Sequence, residues 1–496
     1  MLLRLKLFQV QRGLCFITGM VECLFFAGII FGWPSLEFLL KSQGFFGSFC
    51  VNATNSDGSQ FQDCRGQDEQ FSLVFTIASF MNNFLTFLNG VIFDRFGTLV
   101  ARLFGLALHT GGILMLAFAT PALSMMLYPA LSFIAVGGMM LLLTNMQAAN
   151  LFGAHRSTII TVYNGAFDSS SGVFLIVKVR LSGRDAFWQM LIFINDDLHF
   201  VATAHVSGRH PPEGQLPVPG RRQHPSHAQD HLPKNLVCAI MNYSNTLQKK
   251  TKQTCLSILS ALSSSDKTFR ECVLSKFFFL VLLWLSVIQL RHYLFIGTLN
   301  PMLERLADGD ASVVSQYINA FAFCQMCGLL VAPINGLIMD RHKRKPPVAG
   351  MSEQEADLNS AVVSFFLTSL MALVFSICAS IPVLPLQYFT FVMQMINYSF
   401  LYGGMATFVT VAFPPCHFGK LYGLIFALSA VFSLLQYACF AVVEEVLDGD
   451  PLYVNIALTV LILSSFSHPL SVFLHCRALA SQRAKVNTMA DMNIVT

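Results

Sequence analysis

Charge is what this chain has least of. Asp, Glu, Lys and Arg make up 12% of its 496 residues, about half the ~25% usual in a soluble domain. Tryptophan is scarce too, at 3, whereas phenylalanine numbers 47. Amphipathic periods are also missing. The long apolar runs are apolar on every face, which excludes a set of soluble cores and marks helices that cross a bilayer. No cleavable leader is evident, because the first apolar run holds Glu22 and Pro34 and has no small-residue cleavage site. The 13 histidines lack metal-ligand spacing. No basic cluster lies within the apolar runs, which argues against a phosphorylated or strongly anionic substrate. The chain therefore reads as a membrane protein that is not an enzyme, with no cofactor, metal or nucleic-acid partner expected. The lipid bilayer is its surroundings, and a monomer is assumed.

What the chain does have is an internal repeat. Asn89-Gly90-Val91-Ile92-Phe93-Asp94-Arg95 returns 246 residues later as Asn335-Gly336-Leu337-Ile338-Met339-Asp340-Arg341. Phe75 and Phe321 keep the same offset. Lining up the first span of each half needs an offset of 267, which matches Pro34 with Pro301, Glu37 with Glu304 and Glu22 with Gln289. The longer first outer loop accounts for the change. A repeat in a hydrophobic chain points to a transporter built from two related halves.

Apolar runs long enough to cross begin near Leu14, Phe71, Ala101, Leu123 and Thr158, then near Phe277, Val313, Ser360, Val383, Gly419 and Pro451. With the N-terminus inside, Arg95, Arg102, Arg156, Arg341–Lys345 and Lys420 fall on the cytoplasmic side, and the acidic loops around Asp57–Glu69, Glu304–Asp310 and Glu444–Asp450 fall outside. That bias survives into the second half only if a further crossing precedes it. The sole candidate is Ala186–His205. Its apolar stretch, Phe187–Ile194, covers only about 12 Å at ~1.5 Å per residue and is stopped by Asn195, Asp196 and Asp197. From His199 to Lys234 the composition turns abruptly rich in His, Pro and Arg. Two readings compete: a sequence artefact such as a shifted frame or misjoined exon, and a His-rich metal-binding linker. The artefact is favoured, because a two-half carrier needs its sixth helix.

The expected organisation is an N-terminal transmembrane half at 1–205 with an outer loop at 41–70, a cytoplasmic linker of little order at 206–272, a C-terminal transmembrane half at 273–476 and a mobile cytoplasmic tail at 477–496. The outer loop carries the glycosylation sequon Asn52-Ala53-Thr54. It also carries Cys50 and Cys64, for which an oxidising exterior favours a disulfide over two free thiols.

The pattern G-x-x-x-D-R-x-G at Gly90, Asp94, Arg95 and Gly97, with a looser copy at Gly336, Asp340 and Arg341, resembles the loop signature of the major facilitator superfamily. Longer stretches are more specific. These are Glu22–Leu36 (ECLFFAGIIFGWPSL), His155–Ser171 (HRSTIITVYNGAFDSSS), His292–Asn300 (HYLFIGTLN), Phe80–Phe84 and Phe418–Leu421. They are similar to solute carrier family 43, and within it to the nucleobase-carrying branch rather than the large-neutral-amino-acid branch. The resemblance implies an all-α polytopic fold of two six-helix halves, with the sixth helix degraded here. It also implies facilitated, sodium-independent diffusion of purine bases such as adenine, guanine and hypoxanthine across the plasma membrane, with both termini cytoplasmic. The alternatives are a large-neutral-amino-acid facilitator and a damaged, non-transporting form.

The resemblance further implies crossed gates. Asp94 should lie near Gly419-Lys420 and Asp340 near Ser157-Thr158, with Arg95 and Arg341 beside them; the competing reading is solvated loop charge. Glu22 and Gln289 occupy the same depth of their half's first helix and are expected to share a central cavity, an intramembrane carboxylate being a functional candidate by default. The competing reading for Glu22 is a carboxylate bonded to a neighbouring helix. Asn164, Asp168 and His292 complete the expected substrate set. An amide-rich, aromatic interior suits a small, flat, uncharged solute with ring N–H and C=O edges.

Overall fold

The computed structural model describes residues 13–54, 60–180, 268–344, 351–414, 417–447 and 449–495. The expected sixth crossing, Ala186–His205, and linker residues 206–267 lie outside them.

The described residues form long helices. Seven continuous ones are long and apolar enough to cross a membrane. A bent pair, Gly13–Ala27 and Ile29–Ser42, meets the same criterion when its two parts are taken together across a 43° bend. The bend has a local cause. A π-helical turn, Cys23–Ala27, runs into Gly28 and a 3-10 turn, Ile29–Gly32. Gly28 and Gly32 lie directly against the backbone of Phe167 and Ser171, where a Cβ has no room. Ser170 Oγ accepts from the Gly28 N–H at 2.7 Å, replacing a helical bond lost at the break.

The outer loop is a small antiparallel hairpin, Val51–Thr54 with Gln60–Asp63. A disulfide joins Cys50 to Cys64 at its base, just before helix Arg65–Phe84. Helix Thr86–Phe118 is kinked at Gly97, where φ is 78°, a conformation closed to residues with a Cβ. Helices Leu127–Met146 and Arg156–Ser169 follow, the latter continuing through Ser170–Gly172 into Val173–Arg180.

In the second half Thr268 and Glu271 form a reciprocal cap on helix Phe269–Val273, so the last residues of the 206–272 segment are ordered. Helices Lys276–Gly297, Leu299–Leu306, Ala311–Met326, Gly328–Met339, Glu353–Ala379, Leu386–Ala412 and Phe418–Ser433 come next. Helix Leu435–Ala441 runs into a π turn, Val442–Val446, before helices Leu452–Leu463 and Ser467–Val495. The tail expected to be mobile instead prolongs this last helix, and Arg483 donates to Glu355 at 2.7 Å.

The halves meet in a crossed fashion. Helix Phe418–Ser433 packs on Arg65–Phe84 and Thr86–Phe118, and helix Gly328–Met339 packs on Arg156–Ser169. The serine at the centre of the second contact explains the break in the partner helix. Ser169 Oγ donates to Met326 O and accepts from Leu329 N–H, both at 2.9 Å, bridging the interruption at Cys327.

Candidate functional site

The repeated motif builds the cross-half contacts at one end of the bundle. Gly336 sits so close to Thr158 that a Cβ there would meet Thr158 Cα at 2.5 Å. One turn further along the same helical face, Asp340 accepts from Thr158 N–H at 3.0 Å and from its hydroxyl at 2.9 Å. The other copy repeats the arrangement. Gly90 abuts the Gly419 backbone, and Asp94 accepts from the Lys420 N–H. A Cβ on Gly419 would meet Asp94 Oδ1 at 2.5 Å. In each copy the glycine admits the partner helix and the carboxylate caps its positive N-terminal end. The looser copy makes the more buried lock: Asp340 is 4% exposed, whereas Asp94 stays open to solvent. Arg95 and Arg341 are both exposed; Arg95 lies 5.6 Å from the Phe96 ring.

A different set of contacts joins the halves at the opposite end. Lys41 Nζ lies 2.5 Å from Asp68 and 3.1 Å from Glu304. Asn300 donates to the Pro34 carbonyl at 3.1 Å. Gln436 donates to Ser79 at 3.1 Å and Tyr437 to Glu69 at 2.7 Å.

A small cavity is lined from both halves. The bend in the first helix delivers Phe31 to it. Asn82 and Asn83 come from helix Arg65–Phe84, and Asn164 and Phe167 from helix Arg156–Ser169. The second half supplies Tyr293, Tyr398, Tyr402, Tyr422 and Phe426. Met139 and Leu142 complete a lining that holds no carboxylate, Lys, Arg or His among the described residues. Asn83 donates to Tyr293 Oη at 2.8 Å and Tyr402 donates to the same oxygen at 3.3 Å. Asn82 Oδ1, Asn164 Oδ1 and Tyr422 Oη, by contrast, are buried without a hydrogen-bond partner among the described residues. Buried polar atoms are rarely left so.

Of the expected substrate residues, only Asn164 lines this cavity. Glu22 does not: its carboxylate is ion-paired with Arg102 and accepts from Asn145 at 2.8 Å. Arg102, expected in a cytoplasmic loop, is 3% exposed, because the helix resumes directly after Gly97 and carries it inward. Gln289 does not line this cavity either. It donates to Ser433 at 3.3 Å and accepts from Ser429 at 3.2 Å. The two positions are equivalent in the repeat, yet each is satisfied within its own half.

His292 stands one shell behind the cavity. It stacks on Phe375 at 5.0 Å, meets Tyr398 edge-on at 5.3 Å and bonds Asn397 at 2.5 Å. Asp168 follows the lining residue Phe167, is 3% exposed, and neither carboxylate oxygen has a partner among the described residues. Sequence reasoning missed the aromatic wall. Its signal was the pairing of aromatics one turn apart, Tyr398 with Tyr402 and Tyr422 with Phe426, each within contact at 4.6 Å and 4.7 Å. Asn52 lies exposed on the outer hairpin.

No family model matches the chain. Among curated proteins, equilibrative nucleobase transporter 1 of Bos taurus is 45% identical over 478 residues, covering 94% of this chain and 97% of that protein. The human large neutral amino acids transporter small subunit 3 is 29% identical over 544 residues, covering 97% and 96%. The crystal structure of the human organic anion transporter TETRAN matches with a TM-score of 0.54 at 14% identity, covering 92% of this chain and 98% of that one. The last likeness shows a shared fold. The first, at its identity and coverage, gives the lineage: the chain belongs to solute carrier family 43 of the major facilitator superfamily, in its equilibrative nucleobase transporter branch.

Proposed function

We propose that this transporter carries purine nucleobases, adenine, guanine and hypoxanthine among them, by facilitated, sodium-independent alternating access. One observation carries the reading. A small aromatic cavity presents unpaired oxygens, those of Asn82, Asn164 and Tyr422 among them, and no carboxylate or cation among the described residues. A purine offers two aromatic faces for stacking and an edge of ring N–H donors and nitrogen acceptors for these atoms. The name and identity of the bovine relative support the same substrate class.

An amino acid fits less well. A zwitterion needs partners for both charges, and the break in the first helix is where a carboxylate would find free N–H groups. Here the Gly28 N–H already bonds Ser170. The aspartate locks on Thr158 and Lys420 form the gate on the side assigned to the cytoplasm, and Lys41 with Asp68 and Glu304 the gate on the outside. That orientation puts the Asn52 hairpin at the exterior of the plasma membrane, where it carries a glycan that peptide N-glycosidase would remove.

The discriminating experiment is a thermal-shift titration of the purified chain with adenine, hypoxanthine and leucine. Stabilisation by the purines and none by leucine supports the reading; stabilisation by leucine alone overturns it.

A further inference from the structure

Helix Lys276–Gly297 borders two cavities. Tyr293 faces the central one. Two residues earlier, on the other side of a helix with ~3.6 residues per turn, Arg291 lines a second cavity. This cavity runs from Arg291 along Leu294 and Thr298 to Met302 and Arg305. The far wall comes from Phe440 and Val443, at the π turn Val442–Val446, and from Val454 on the last crossing. It shares no lining residue with the central cavity.

Arg291 is 3% exposed. Its Nε donates to Ser376 Oγ at 3.0 Å, Ser376 is held in turn by Thr459 at 2.7 Å, and the guanidinium lies 5.5 Å from the Phe375 ring. The side chain is therefore fixed. Its Nη2 nevertheless has no hydrogen-bond partner among the described residues. Among the described residues the only carboxylate lining the cavity, Glu444, lies 4.0 Å from Arg305 at the other end. A guanidinium does not shed its proton, and a buried charge without a counter-ion is costly, so intramembrane arginines mark ligand or ion sites.

We propose that this second cavity binds a hydrophobic carboxylate. The carboxylate accepts from Arg291 Nη2, and the apolar body lies along Leu294, Phe295, Met302, Phe440 and Val443. An aqueous aryl-alkanoic acid and a fatty acid from the adjoining leaflet share this chemistry.

The test is calorimetric titration of the full chain in phosphatidylcholine nanodiscs. 4-Phenylbutyrate is added from water, and oleate is preloaded into the bilayer and then displaced. 4-Phenylbutyramide is the neutral control. Saturable binding of either acid is expected, with the amide about tenfold or more weaker, the size of a lost charged hydrogen bond. Phenylbutyrate binding alone assigns an aqueous source, and oleate binding alone a lipid one. Arg291→Met should weaken the acid by a similar factor. Val443→Trp, which fills the cavity and leaves the guanidinium in place, should abolish binding even if Arg291→Met fails to fold. Equal affinity for acid and amide, undiminished binding by either variant, displacement by adenine, or no saturable binding of either acid would overturn the proposal.

Discussion

Asp340 bonds Thr158 through both the backbone N–H, at 3.0 Å, and the side-chain hydroxyl, at 2.9 Å. These residues belong to different halves, 182 positions apart. The contact explains why the repeated motif pairs a glycine with an aspartate four residues on. One removes the bulk that would keep the helices apart, and the other satisfies the donors exposed by their approach.

Asp340→Ala should loosen this end of the bundle. Hydrogen bonds to a charged group contribute about 1.5–3 kcal/mol each. A cysteine placed at Ser157, 6% exposed in the closed arrangement, should react with a membrane-impermeant maleimide about tenfold faster in the Asp340→Ala background. An unchanged rate would remove Asp340 from the gate.

Glu22 should behave as a stability residue. Glu22→Ala leaves Arg102 buried and unpaired, a change that costs about 3–5 kcal/mol. Surface amount and melting temperature should fall together. Replacing both partners, as Glu22→Leu with Arg102→Met, should recover most of the loss. A Glu22→Ala protein of normal stability that no longer binds purine would instead restore Glu22 to the substrate site.

Asn164→Ala and Tyr422→Phe each remove one unpaired polar atom from the cavity wall. Each should raise the KM for adenine by roughly threefold to tenfold, the range of a neutral hydrogen bond, at unchanged surface amount. Gln289→Ala, outside the wall, should leave KM within about twofold. The reverse ranking would move the site toward Gln289.

Cys50→Ser should lower the melting temperature, since closing a loop of this order contributes about 3 kcal/mol in the chain-entropy view. The bridged residues are 14 apart. Reductant should produce the same shift in the native protein and none in the variant. A native melting curve indifferent to reductant would contradict a structural role.

The two copies of the motif were legible in the sequence as equivalent positions at one offset, and the resemblance to the major facilitator superfamily implied their crossed approach to the other half's helix ends. The Glu37 and Glu304 match was legible for the same reason, and Lys41 now lies 3.7 Å from one and 3.1 Å from the other. The Glu22 site was misread because its partner looked like loop charge. Only the kink at Gly97 and the helix that resumes after it show that Arg102 is buried. The aromatic wall was hidden by abundance. With 47 phenylalanines, nothing local separates Phe31 or Phe167 from lipid-facing rings. What selects them is the bend at Gly28 and the close approach of Ser170 and Ser171.

The most direct measurement is initial-rate uptake of radiolabelled adenine into proteoliposomes holding the purified full chain, with excess unlabelled hypoxanthine or leucine, in sodium and in choline buffer. A nucleobase facilitator gives saturable uptake that hypoxanthine abolishes, leucine leaves intact and sodium does not alter. Uptake blocked by leucine and indifferent to hypoxanthine, or no saturable adenine uptake at all, would contradict it.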